Sequence, residues 1–195
     1  MTEQARSGSL FVVSGPSGCG KTSLCAELLQ RCPNLRLSIS ATTRAARQGE
    51  VDGVHYHFLD RASFDQQVAE GAFLEHALVH GNGYGTRLAD VDDMLAKGRD
   101  VLLEIDWQGA AQVGRLRPEA CRIFILPPSV EELRRRLTGR GQDEAAVIER
   151  RVAAAESEMA HADEAGFCIV NDDFDAALAA MFEIYRARSA EGGAV

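Results

Sequence analysis

A chain of 195 residues holds enough material for one compact core with small inserted lobes and is short for two full domains. Hydrophobic residues at 46% and charged ones at 26% exclude a disordered chain, and no apolar run is long enough to span a bilayer. A formal net charge of −8 argues against general affinity for nucleic acid, so any phosphate binding must come from local basic clusters.

The opening "MTEQARSGS" has no apolar stretch before a cleavage site, and no secretory signal is expected. Next comes "SLFVVS" (9–14), a short β-branched run that reads as a buried strand and stops at glycines. "KTSLCAELLQRC" (21–32) places Leu24, Leu28 and Leu29 at helical spacing, and Pro33 closes it. Residues 38–86 are more polar and turn-rich. The spacing then predicts a helix over 87–98, with Leu88, Val91 and Leu95 on one face, and a buried strand over 100–106. "CRIFIL" (121–126) is another buried strand. Pro127 and Pro128 precede "SVEELRRRL" (129–137), where Ser129 and Glu132 have the spacing of a capping box. Residues 129–160 read as helical and arginine-crowded, "FCIV" (167–170) as a strand and 172–189 as a final helix. Near-continuous apolar strands alternating with helices predict a parallel sheet covered on both faces. The segments 38–86 and 129–160 are expected either to be surface excursions or to supply the two walls of a cleft.

The five cysteines (Cys19, Cys25, Cys32, Cys121 and Cys168) form no CxxC pair, which fits free thiols in a reducing cytoplasm. His55 and His57 form an HxH with no third ligand at a convincing spacing, so ordinary surface histidines are expected.

Between the first strand and the first helix lies "GPSGCGKT", that is Gly15, Pro16, Ser17, Gly18, Cys19, Gly20, Lys21 and Thr22. This is the full phosphate-binding loop in its required strand-to-helix setting. Its glycines let successive N–H groups point at anionic oxygens, and the helix adds its positive end. Lys21 reaches the β- and γ-phosphates and the Thr22 hydroxyl can ligate Mg²⁺. A nucleoside triphosphate is the expected ligand. Cys19, at a helix N-terminus and two residues from Lys21, is expected either to have a lowered pKa or to be an inert buried thiol.

"SGPSGCGKT", "SATTRAARQGEVDGVHYHF", "YGT", "LEIDWQGA", "PPSVEELRRRLTGRG" and "VNDD" occur here in the order found in guanylate kinases. The chain is similar to bacterial guanylate kinases over residues 8–187. The resemblance implies an α/β, three-layer P-loop NTPase fold with a central, mainly parallel sheet. The core would comprise 8–37, 87–128 and 161–187, with a GMP-binding lobe at 38–86, a helical lid at 129–160, and tails at 1–7 and 188–195. It also implies Mg²⁺-dependent transfer of the ATP γ-phosphoryl group to GMP.

Residue chemistry agrees. Arg44 and Arg47 suit bidentate pairing with a phosphate monoester, and Tyr56 and Tyr84 offer hydroxyl donors. The resemblance assigns these four to the GMP phosphate. Glu75 interrupts an apolar strand, and an ionised carboxylate can accept from guanine N1–H and N2–H₂. The resemblance puts Glu75, Ser40 and Thr86 on the base. Glu104 and Asp106 emerge on one side of a strand end. One of them serves the metal through water and the other the acceptor, with the division open. By similarity, Arg136, Arg140 and Arg151 belong to the lid and join Lys21 and Arg44 in catalysis, while Asn171 contacts the adenine side. Arg134, Arg135 and Arg150 are expected on the solvated face or as partners of Glu131 and Glu132. Two other readings are a ribose 1,5-bisphosphate kinase, which predicts loss of the guanine-reading group, and a non-catalytic protein-binding module, which predicts loss of the loop.

Overall fold

The computed structural model describes residues 7–79, 81–139 and 144–191. Strand β1 (Leu10–Ser14) is buried at every position, as an apolar run covered on both faces must be. It feeds through the glycine loop into α1 (Lys21–Arg31) and the short strand β2 (Leu35–Leu37). The polar excursion contains β3 (Ala41–Thr42), β4 (His57–Phe58), α2 (Arg61–Ala69), β5 (Phe73–Val79) and β6 (Asn82–Arg87). Asp60 caps α2 by accepting from Ser63 N–H at 2.8 Å.

The chain returns through α3 (Leu88–Ala96), β7 (Asp100–Glu104), α4 (Trp107–Leu116) and β8 (Cys121–Leu126). After α5 (Val130–Gly139) and α6 (Ala145–Met159) it closes with β9 (Phe167–Val170) and α7 (Phe174–Glu191). Ser129 caps α5 by accepting from Glu132 N–H at 3.1 Å. The reciprocal half of the expected capping box is absent, because the Glu132 carboxylate is taken by Arg135 and Arg136 at 2.6–2.8 Å.

The central sheet has the order β2-β7-β1-β8-β9, and every pairing in it is parallel. Side-chain alternation divides each strand between two cores. Phe11, Val13 and Leu102 pack with α1 and α7, while Leu10, Val12, Val101 and Leu103 pack with α3 and α4. A second sheet, β4-β3-β6-β5, is mixed and has its own small cluster of Ala41, Phe64 and Phe73. Helices α5 and α6 share a third cluster, Leu133, Leu137, Ile148, Val152 and Ala155. The loop after β1, the end of β7, the second sheet and the α5–α6 pair thus converge on one side of the central sheet.

Candidate active site

The phosphate loop is held in a conformation that only glycine adopts easily. Gly15 has φ 136°, and a Cβ there would lie 2.2 Å from the Ile125 carbonyl oxygen of β8. Gly20 has φ 99°, and its Cβ would meet Asn171 Nδ2 at 2.3 Å. Lys21 curls back over the loop, donating to the carbonyls of Gly15 and, at 3.0 Å, Pro16. Asn171 is buried and donates to the Cys19 carbonyl at 2.7 Å. It therefore braces the loop and is not among the residues that line the cleft.

The loop forms one wall of a cleft of about 890 Å³. The opposite wall comes from the second sheet and carries Ser40, Arg47, Tyr56, Glu75 and Tyr84. Glu75 and Thr86 are direct cross-strand partners on β5 and β6, just after a register shift between Phe73 and Glu75. Such bulges re-aim a side chain, and Glu75 ends 4% exposed with Thr86 Oγ1 donating to Oε1 at 2.6 Å. Burial, opposed by the Thr86 bond and reinforced by the charge of Asp106, pushes the Glu75 carboxyl up to about 7. Its Oε2 sits against Gly109, where a Cβ would lie 2.4 Å away. Helix α4 needs glycine there.

Arg44 sits beside this wall, its two Nη atoms forked by Glu50 at 3.0 and 2.8 Å. That fork, with Arg47 N–H, holds the Glu50 carboxyl down at about 2. Tyr56 lies under Arg44, its ring centroid 5.3 Å from the guanidinium carbon.

Between the walls, Thr22 Oγ1 donates to Glu104 Oε1 at 2.5 Å. Asp106 Oδ1 caps α4 through Gly109 N–H at 2.8 Å, while its buried Oδ2 has no hydrogen-bond partner among the described residues. Hard oxygen donors gathered beside a phosphate loop suit a small divalent cation that keeps most of its waters. Arg151 and Arg150 complete the cleft from α6, and Arg151 Nη2 donates to Ser17 Oγ at 2.6 Å. Arg136 faces elsewhere, bonding Glu132 and, at 2.9 Å, the Asn171 carbonyl. Arg140 lies outside the described residues.

The family model "Guanylate kinase" matches residues 7–188. A guanylate kinase of Thiobacillus denitrificans is 55% identical over 95% of this chain and 89% of its own length. One of Alkalilimnicola ehrlichii is 57% identical over 92% and 89%. The chain belongs to the guanylate kinase family. A crystal structure of guanylate kinase from Anaplasma phagocytophilum superposes with a TM-score of 0.78 at 37% identity, covering 94% of this chain and 87% of that one. Family and fold make this a P-loop nucleoside monophosphate kinase, and no helix among the described residues is long and apolar enough to cross a membrane.

Within this guanylate kinase framework, some sequence expectations hold and others change. Of the two readings of Cys19 the buried thiol is the one found: it is fully buried, and burial outweighs Lys21 and raises the thiol's pKa. Arg150 is exposed as expected and also lines the cleft, Arg135 pairs with Glu132 as expected, and Arg134 pairs with Glu149 instead. Trp107 stacks on His161, with centroids 3.6 Å apart. His55 Nδ1 accepts from Val51 N–H at 3.0 Å, and His57 lies 4.0 Å from Asp90. Glu50 and Gly109 went unnoticed, though the glutamate three residues after Arg47 and the glycine three after Asp106 were visible signals.

Proposed function

We propose that this chain transfers the γ-phosphoryl group of ATP to GMP, and to dGMP, giving ADP and the corresponding diphosphate. The observation that carries this reading is the shared cleft, with the phosphate loop on one wall and the buried Glu75–Thr86 pair on the other.

On this reading the backbone from Gly15 to Thr22 cradles the ATP phosphates, and Lys21 exchanges the Gly15 and Pro16 carbonyls for phosphate oxygens. Glu75, ionised on binding, accepts from guanine N1–H and N2–H₂, and Ser40 and Thr86 complete the base site. Arg44, Arg47, Tyr56 and Tyr84 hold the acceptor phosphate. Its oxygen is already an anionic nucleophile, so positioning and charge compensation suffice without a general base. Arg136, Arg140 and Arg151 offset charge on the phosphoryl group in flight. Thr22, with Glu104 or Asp106 through water, would hold Mg²⁺, which neutralises triphosphate charge when bound.

An ADP-release assay with GMP, AMP, UMP and ribose 1,5-bisphosphate as acceptors tests this. Turnover with GMP is expected to exceed that with the other acceptors by roughly 10⁴-fold, because a buried acceptor left without its donors penalises the wrong base. Turnover of ribose 1,5-bisphosphate without turnover of GMP overturns the proposal.

A further inference from the structure

Glu50 lies next to the acceptor wall without lining the cleft, and its hydrogen bonds are directed at the groups that would meet the acceptor phosphate. Its Oε2 and Oε1 take Arg44 Nη1 and Nη2 at 3.0 and 2.8 Å, and Oε2 also accepts from Arg47 N–H at 2.7 Å. Nη1 spends its other hydrogen on the Ala45 carbonyl at 2.8 Å. Arg44 and Glu50 are only 15% and 17% exposed, so the fork is shielded from water.

A guanidinium has five N–H groups in fixed directions. Three of Arg44's are thereby committed to this chain, and the remaining edge carries Nε and the outer Nη2 hydrogen. Tyr84 and Tyr56 both line the cleft, Tyr56 with its ring under the guanidinium. That remaining edge can take two phosphate oxygens at once.

We propose that Glu50 is a positioning residue for the acceptor phosphate: its fork fixes the rotation of Arg44 so that the Nε–Nη2 edge meets the phosphate, and it holds the Arg47 backbone in the same turn. The inference rests on the assignment of Arg44 to that phosphate. Charge alone makes the opposite demand. Glu50 is an anion beside a dianion site, so removing it should strengthen GMP binding if its field were what mattered. The direction of the effect therefore separates positioning from repulsion.

Steady-state kinetics of Glu50→Gln, with guanosine binding measured alongside, test the proposal. KM for GMP is expected to rise about ten-fold, the loss typical of freeing one pre-ordered long side chain. KM for ATP and the Kd of guanosine, which lacks the phosphate, stay at parent values. In a double-mutant cycle, adding Glu50→Gln to Arg44→Lys costs less than it costs in the parent, the remainder being its hold on the Arg47 N–H. An unchanged or lowered KM for GMP in Glu50→Gln overturns the inference, and so does full additivity. Glu50→Asp keeps the charge but is one methylene short of spanning Arg44 and Arg47 N–H. It should show the same selective rise, and a parent-like KM there also overturns the role. If Arg44→Lys leaves KM for GMP untouched, the acceptor-site assignment falls and the inference with it. If Arg44→Lys is harmful and Glu50→Gln is not, only the inference falls.

Discussion

At the residue scale, Glu75 sets function against stability. Its carboxyl titrates near 7 in the folded chain against an ordinary value of 4.5. Between those values the folded state binds more protons than the unfolded one, so stability falls as pH rises from about 4.5 to about 7. Glu75→Gln removes the ionisation. Urea unfolding is expected to show the variant more stable than the parent at pH 8, with the gap closing at pH 4 and below. The same variant loses two charge-assisted acceptors for guanine, so kcat/KM for GMP should fall on the order of 10³-fold. A variant that is no more stable at pH 8 contradicts the burial cost assigned here. Cys19 gives a second prediction, because its thiol is buried while Cys168 is exposed. Mass spectrometry after brief alkylation of the native protein should find Cys168 labelled and Cys19 not. The phosphate loop was legible in sequence because a glycine-lysine spacing is a local signal, whereas Glu75, read alone as a solvent-facing strand residue, was reached only through the family resemblance. Glu50 and the state of Cys19 were not legible, since each depends on what the folded chain brings against it.

At the scale of elements, the phosphate loop is made by its neighbours as much as by its own residues. β8 crowds Gly15, and the turn before α7 places Asn171 against Gly20. Gly20→Ala must place a Cβ at φ 99° and displace the Asn171 amide from the Cys19 carbonyl. A strained non-glycine residue costs about 1–3 kcal/mol, which for a chain of this size lowers Tm by roughly 3–10 °C. Calorimetry should show that drop, together with a raised KM for ATP; an unchanged Tm would mean that the loop relaxes freely. Buried strands β1, β7 and β8 were legible because all or most of their side chains are apolar, and β9 by the same signal although only Ile169 in it is buried. Other elements were not. β2 is three residues long with only Leu35 buried, α2 buries only Phe64, and α4 carries two glycines that disguise its period. In α4, Gly109 yields its side-chain space to Glu75, so the feature that hid the helix belongs to the site.

At the scale of the whole molecule, two bodies with apolar clusters of their own, outside the cores of the central sheet, set what can move. The α5–α6 pair has its own apolar core and reaches the phosphate loop through Arg151 on Ser17 and through Leu133 and Leu137 packed near Gly18. The second sheet likewise has its own cluster around Phe64 and Phe73. Neither body needs to unpack its core to shift towards the other. On the proposed function a triphosphate would compete with Ser17 for Arg151, and an acceptor phosphate would draw Arg44 and Arg47 inward, so both ligands would favour closure from opposite sides. Closure would exclude water, the competing nucleophile towards ATP. Small-angle scattering is therefore expected to show a smaller radius of gyration with GMP and a non-hydrolysable ATP analogue together than with either alone. The chain has a single tryptophan, Trp107, stacked on His161 just past the end of α6, so its fluorescence should change in the same doubly liganded state. Equal radii in the free and doubly liganded forms would show that the cleft is already closed and that Arg136, turned to the Asn171 carbonyl, does not swing towards the phosphates.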